Sequence, residues 1–571
     1  MYQLPKALAL IVILFSFCVA SLFNNQSDRA VLPLIFSLIL TIWLSTRLIT
    51  SPAFPPFHYS AVFLAPAAFL IFFKARPEPK PTLIFLNLML AVSSLYAIFQ
   101  TGRLGIQRPW SLFGNPVFAA EFTAALLPFS VAGLCLLHRS FMLAVFNLVT
   151  APAVLVLYSS RGVFISSIIP LIIITIVCAY TRSFPAINSK KILIAIFASL
   201  LFPLLVPGFY KSLASFSSRI AEAASVSTGS VRDRAMLAKT SLMIFMDNPS
   251  TGAGSGGVRL LHQKKQSRIL AENKNPVFVH SSYAHNDYLQ LLAETGIPGL
   301  ALFLALVFSS AFAFERAAPH IEKNHFIFAA SAASSVTFFM SESFFNFPLF
   351  SLPSSVLFFS FLGIMAASSV QKHSNFSFKF GSGIITPALI LFILACLFFT
   401  RLKPAFIVSD ASLKQVLSSE PADNNVRLAQ LEKSAALNPY NFHVLHNLAA
   451  AYISAGMYDK ALSIYKKSLS IFPHSADTLY NAGYALASSG KDKEAMLFFE
   501  NALTYYPCFK EAWLALADSA ARMGDEKKAV FCIENAVKCG HKPVQQFIEN
   551  TDTNLKGKND ERINKKNFGQ D

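Results

Sequence analysis

From residue 6 to residue 402 the chain is a succession of apolar runs, most of them about twenty residues long, separated by short polar connections. An α-helix rises about 1.5 Å per residue, so such a run matches the ~30 Å hydrocarbon core of a bilayer, where only internally satisfied backbones survive. Runs of this kind occupy 6–23, 30–50, 81–100, 114–137, 140–158, 163–180, 192–209, 296–314, 325–344, 348–370 and 383–400. A shorter one at 59–73 is interrupted by Pro66. The expected fold is all-α: a polytopic membrane helical bundle of 11–12 transmembrane helices over residues 1–403, followed by a soluble body. With 54% apolar and 14% charged residues, the chain is neither disordered nor a single soluble globule. The excess of 48 Lys and Arg over 31 Asp and Glu, a formal +17, points to cytoplasmic loops and an anionic ligand before nucleic acid.

The first run carries one Lys, exceeds the apolar region of an ordinary signal peptide and lacks a clean Ala-x-Ala site after it, so it is expected to stay as a span. Sidedness follows from basic residues in short loops, which remain cytoplasmic. Connections 74–80, 138–139, 181–191 and 371–379 hold most of them. The alternate connections then face outward: 101–113, the Ser159–Gly162 turn, a long loop over 210–285, and the turn near 345–348. The same alternation delivers the chain after 383–400 to the outer side.

Beyond residue 403 the composition turns polar and helix-forming, and a fixed period appears. Pro439, Pro473 and Pro507 are spaced by 34, as are Gly456, Gly490 and Gly524, and Ala461, Ala495 and Ala529. Large apolar residues keep the same register at Leu445, Leu479 and Trp513, and at Tyr465, Phe499 and Ile533. This is the tetratricopeptide pattern of stacked helix pairs, with full repeats over 439–540 inside a soluble domain at 404–551 and a polar, disordered end at 552–571. Such arrays usually hold a peptide or protein partner, and otherwise act as spacers. Of the seven cysteines, four lie in apolar runs, and Cys508, Cys532 and Cys539 form an odd set without metal-ligand spacing; reduced, space-filling thiols are expected.

Chemistry belongs to the membrane part. The loop from 210 to 284 holds ten basic and four acidic residues, so either it is too long for the positive-inside rule or it meets an anion at the outer face. It ends in His280, His285 and Asn286 ahead of a helix in which His285, Tyr288 or Leu289, and Leu292 share a face. That puts an imidazole, with its ordinary pKa near 6.5, at the membrane boundary.

His285-Asn286, nine residues, then Gly296-Ile297-Pro298-Gly299 resembles the signature of the O-antigen ligase family, whose relatives include O-antigen polymerases and bacterial O-oligosaccharyltransferases. Further pieces resemble the family in order: Phe113-Gly114-Asn115-Pro116, Ser160-Arg161-Gly162, and Arg234 followed by Pro249 and Gly252-Ala253-Gly254. Val117 stands where the family usually has Asn, and Leu237-Ala238 where Trp is common. The resemblance, over about 95–370, implies a membrane enzyme of the bacterial inner membrane. It would pass a glycan from undecaprenyl diphosphate to a hydroxyl of lipid A core or protein at the periplasmic face, without metal or other cofactor. By the same resemblance, Arg161 and Arg234 hold the diphosphate and His285 takes the acceptor's proton or positions the leaving phosphate. Arg103, Arg108, Arg232, Asn286 and His280 are candidate substrate contacts.

Each residue also has a plainer role available. Arg161 can snorkel at a helix end, Arg103 and Arg108 can anchor an interface, and His285 can cap a helix. His280 and His285, five apart, do not share a helical face as metal ligands would. A polymerase extending the lipid-linked glycan shares the donor chemistry. A non-catalytic scaffold or transporter recruiting partners through the repeats is the other class, disfavoured because ionisable residues gather at one membrane face and no half-to-half repeat is evident.

Overall fold

The computed structural model describes residues 68–368 and 424–539, except 74, 138–139, 184–198, 200, 207, 225–228, 273–277 and 440, together with isolated positions near 33–40 and 409–416. The expected spans at 6–23 and 383–400, most of that at 30–50, half of that at 192–209, and the polar end at 552–571 lie outside the described residues. Within them every regular element is helical. The chain divides into two compact units, residues 1–258 with 283–402, and residues 259–282 with 403–571.

In the first unit five helices have the length and apolarity to cross a membrane: α1 (Pro79–Gly102), α2 (Pro116–Leu136), α3 (Phe141–Tyr158), α4 (Arg161–Tyr180), and a longer one opening at Asp287. Helices α5 (Phe209–Ala224), α6 (Gly229–Asp247) and α7 (Gly257–Glu272) fill much of the long loop. The long helix is α8 (Asp287–Ala317), followed by α9 (Lys323–Glu342) and α10 (Leu352–Ala367). Sequence reading also assigned spans to the last two. Helix α9 has the length at 20 residues, while α10 has 16 and is a shorter apolar helix.

Helix α2 lies at the centre, packed against α1, α3, α4 and α9. Its small side chains permit close approach: a Cβ on Gly133 would stand 3.0 Å from the Ala144 Cβ of α3. Polar groups inside this core are tied to one another. Asn87 of α1 donates to the Phe129 carbonyl at 3.3 Å and accepts from Ser130 at 2.8 Å, and Asn147 of α3 donates to its side chain at 3.0 Å. Ser335 of α9 donates to the Ala125 carbonyl of α2 at 2.6 Å. Each bond removes a cost that an unpaired polar group would carry in an apolar interior.

In the second unit α11 (Asn424–Leu437) precedes three helix pairs, α12 (Phe442–Ser454) with α13 (Tyr458–Ile471), α14 (Ala476–Ser488) with α15 (Asp492–Tyr505), and α16 (Lys510–Arg522) with α17 (Glu526–Lys538). Gly456, Gly490 and Gly524 close the first helix of each pair at φ 71°, 77° and 80°. A Cβ there would meet nothing within 4 Å, so the periodic glycine answers to backbone conformation and not to space. The periodic alanines and aromatics, Ala461 with Tyr465 and Ala495 with Phe499, are buried between helices.

One finding corrects the sequence reading, and a second adds to it. Cys508 and Cys539, expected as free thiols, are joined in a disulfide; the last helix pair brings their Cα atoms to 5.4 Å, a separation that spacing along the chain does not reveal. Residues 259–282, read as part of the membrane domain's loop, pack in one unit with the repeats.

Candidate active site

Helix α3 ends on Ser159, held in the left-handed region at φ 52°, and the chain turns straight into α4, of which Arg161 is the first residue. Gly162 leaves room here: a Cβ would crowd the carboxylate oxygens of Glu342, the last residue of α9, at 3.1 and 3.2 Å. The turn therefore seats a carboxylate beside Arg161.

Arg234 arrives on α6. The residue as a whole is exposed, yet its guanidinium is crowded: burial first, and then repulsion from Arg161, lower its pKa, while Glu342 acts in the opposite sense. The two guanidiniums and the carboxylate thus lie within electrostatic reach of one another.

Helix α6 is fixed against α8 by a joint between two glycine-bearing segments. Gly296 interrupts α8 at φ 70°, ψ −173°. The interruption frees carbonyls at the preceding turn, and Ala253 and Gly254 donate to those of Ala293 and Glu294 at 2.8 and 3.0 Å. Ile297 returns a bond to the Pro249 carbonyl at 2.9 Å. A Cβ on Gly252 would stand 2.4 Å from the Glu294 carbonyl carbon, and one on Gly296 would stand 2.7 Å from the Pro249 oxygen. The two motif segments are therefore halves of one backbone-to-backbone contact that admits no side chain on either face.

His285 precedes α8 at φ 50°, a left-handed position that histidine occupies more readily than most residues. Its surroundings are built by α8 and the turn after α9. Asn286 caps α8 by accepting from Leu289 N at 2.9 Å and donates to the Phe344 carbonyl at 3.2 Å. Asp287 accepts from Ser343 Oγ at 2.8 Å and from Leu349 N at 3.0 Å, and the Tyr288 hydroxyl donates to the Met340 carbonyl at 2.6 Å. Tyr283 stacks on Phe347 with centroids 4.2 Å apart, and the His285 ring meets the same Phe347 edge-on at 5.0 Å. Asn346 donates to Glu342 Oε1 at 3.0 Å and also hydrogen-bonds His285. Burial, then the charge of Arg234, lowers the His285 pKa, with the Asn346 bond opposing, so the imidazole is neutral at neutral pH.

The structure thus brings Arg161, Arg234 and His285 together with Glu342 and Asn346. Others of the sequence candidates stand apart or serve the scaffold. Arg108 Nε donates to the Tyr158 carbonyl at 3.3 Å, tying its loop to the end of α3. Arg103 follows α1 as its C-cap residue, and Arg232 is exposed on α6. Asn286 acts as cap and tie. His280 belongs to the second unit, where it pairs with Asp477 at 3.3 Å. The sequence candidates do not include Glu342, Asn346, Tyr283 or Phe347; the i, i+4 spacing of Glu342 and Asn346 was the available signal. No cluster of three or more His, Cys, Asp or Glu is placed to hold a metal among the described residues.

Residues 146–304 match the family model of O-antigen ligase, and residues 440–507 match a tetratricopeptide repeat model. No curated protein matches the chain. Among solved structures, one titled MamA MSR-1 is 25% identical over 24% of this chain and 75% of its own, with a TM-score of 0.21. Another, a crystal structure of MamA, is 16% identical over 27% of this chain and 88% of its own, with a TM-score of 0.22.

Proposed function

We propose that the protein moves a preassembled glycan from a polyprenyl-diphosphate carrier such as undecaprenyl diphosphate to an acceptor hydroxyl, on lipid A core or protein, at the periplasmic face of a bacterial inner membrane. The observation that carries this reading is the meeting of Arg161, Arg234 and His285, from three separate stretches of sequence, around Glu342. Two guanidiniums within reach of one another offer the paired N–H donors that a diphosphate's oxygens accept. The match of residues 146–304 to the O-antigen ligase model supports the same class of reaction.

In this reading neutral His285 takes the acceptor hydroxyl's proton while the oxygen attacks the anomeric carbon of the donor's first sugar. The bond from that carbon to the diphosphate oxygen breaks, and the lipid diphosphate leaves with the electron pair. Arg161 and Arg234 offset the charge that develops on it, supplying the counter-charge without a metal ion. Glu342 holds the two like-charged guanidiniums together when the donor is absent, and Asn346 fixes His285 relative to that carboxylate. The Cys508–Cys539 disulfide supports a tail in an oxidising compartment, and the packing of outer-loop residues 259–282 with the repeats supports the same side.

His285→Ala and Arg161→Ala are each expected to cut transfer by about 10²- to 10⁴-fold with membrane insertion unchanged. The measurement is the glycan-bearing species in cells that carry or lack each variant. Full transfer in either variant removes that residue from the mechanism. The class of product lost on deleting the protein, capped lipid A, modified protein or only chain length, identifies the acceptor.

A further inference from the structure

Residues 259–272 and 278–282 form a clip. Gln266, fully buried on α7, donates to the Val279 carbonyl at 3.3 Å and accepts from Val279 N at 2.9 Å, so one amide side chain mimics a strand partner for an extended residue. His262 meets the same Val279 oxygen at 3.0 Å.

This clip lies on the turns that join successive repeats. The Arg259 guanidinium sits 4.3 Å over the ring of Phe472. Gln263 accepts from the backbone N–H of Ala476 at 3.1 Å, satisfying a donor at the start of α14 that no helical carbonyl can reach. His280 pairs with Asp477 at 3.3 Å. Phe278 stacks on Tyr506 at 4.3 Å with 22° between planes and joins the apolar cluster of the second and third repeats. Phe472 and Tyr506 occupy the same register, each immediately before the periodic proline. The turns before Pro473 and Pro507 thus each present an aromatic ring, one taking a cation and the next a phenyl ring, while Asn438 stands before Pro439. These contacts combine a cation over a π face, an imidazole–carboxylate contact, a capped helix start and a stacked pair, the kinds of contact that make a binding surface.

We propose that this row of turns is a docking surface of the repeats and that its occupant is the chain's own segment 259–282, so that the repeats act in cis as a clamp on the loop leading into His285. Both ends of the clip run directly into the site's framework. Val258 N, just before it, donates to Glu294 at 3.4 Å, and Tyr283, just after it, stacks on Phe347 against His285. Seating the clip shortens the free chain before His285 to a few residues, which narrows the positions open to the imidazole. The effect on transfer rests on the proposed function; the docking itself does not.

Hydrogen exchange on the full-length protein in lipid nanodiscs tests both parts. In the wild type, amides of 259–282 are expected to exchange slowly. Arg259→Ala with Gln263→Ala alters the clip alone, and Phe472→Ala alters the repeats' side. Each is expected to speed exchange in 259–282 by about tenfold while α12–α17 remain protected in the clip-side variant. Equal exchange rates in wild type and clip-side variant overturn the docking. With the clip released, kcat/KM for transfer is expected to fall by about fivefold or more; a released clip with unchanged kcat and KM overturns the clamp. Undiminished transfer by His285→Ala, by contrast, sinks the catalytic reading and leaves the exchange result to decide the docking alone.

Discussion

His285 carries three opposing influences in one ring. Burial and the nearby Arg234 charge disfavour its protonated form, while the hydrogen bond that the ring N–H donates to the Asn346 side chain favours it. A base must be neutral to accept a proton, and a pKa below the ordinary 6.5 keeps it neutral further into acid. Activity is therefore expected to hold as pH falls from neutral and to drop only as His285 protonates, below the usual imidazole range. Asn346→Ala removes the one influence that raises the pKa, so the acid limb of log kcat/KM against pH is expected to move to lower pH. A limb that stays in place or moves upward shows that Asn346 does not set the protonation of His285. Asn346 and Glu342 are i, i+4 neighbours along the chain, but only the fold sets Asn346 against an imidazole in another stretch of sequence.

The joint between the 249–254 turn and the break in α8 shows how two short motifs acquire a common reason. In the sequence each is a spacing of glycines; in the fold each glycine faces the backbone of the other segment at a distance no Cβ allows. Gly296→Ala is expected to cost about 2–4 kcal/mol, from the positive φ and from displacing the Pro249 carbonyl together. Gly456→Ala, at nearly the same φ but with nothing within 4 Å of the new methyl, is expected to cost only about 1 kcal/mol. Thermal unfolding of the two variants checks the difference, and equal losses sink the argument that contact dominates at Gly296.

The chain as a whole is a membrane bundle and a repeat array that exchange a piece: the array includes residues 259–282 from inside the bundle's sequence. With the repeats sharing a unit with a loop that the charge pattern assigns to the outer side, and carrying a disulfide, alkaline phosphatase fused after residue 571 is expected to be active, and Cys508 and Cys539 are expected to resist alkylation until reduced. Reduction is expected to lower the stability of the array by about 3–4 kcal/mol, the loop-closure value for two cysteines 31 residues apart. An inactive phosphatase fusion, or thiols that alkylate freely in the native protein, reverses the assigned side. These outcomes concern the tail's compartment and leave the chemistry of His285 untouched.

Helix class, the 34-residue period and the residue types at Arg161, Arg234 and His285 were legible along the chain, because each depends on local hydrophobic length, register or a short motif. The pairing of Cys508 with Cys539, the seat of Glu342 against Gly162, and the capture of 259–282 by the repeats were decided by tertiary structure. Those contacts join residues tens or hundreds of positions apart, and no local pattern encodes which distant surfaces meet. An apolar run must become a helix wherever it enters a bilayer, but which carboxylate ends beside which arginine depends on how the finished helices pack.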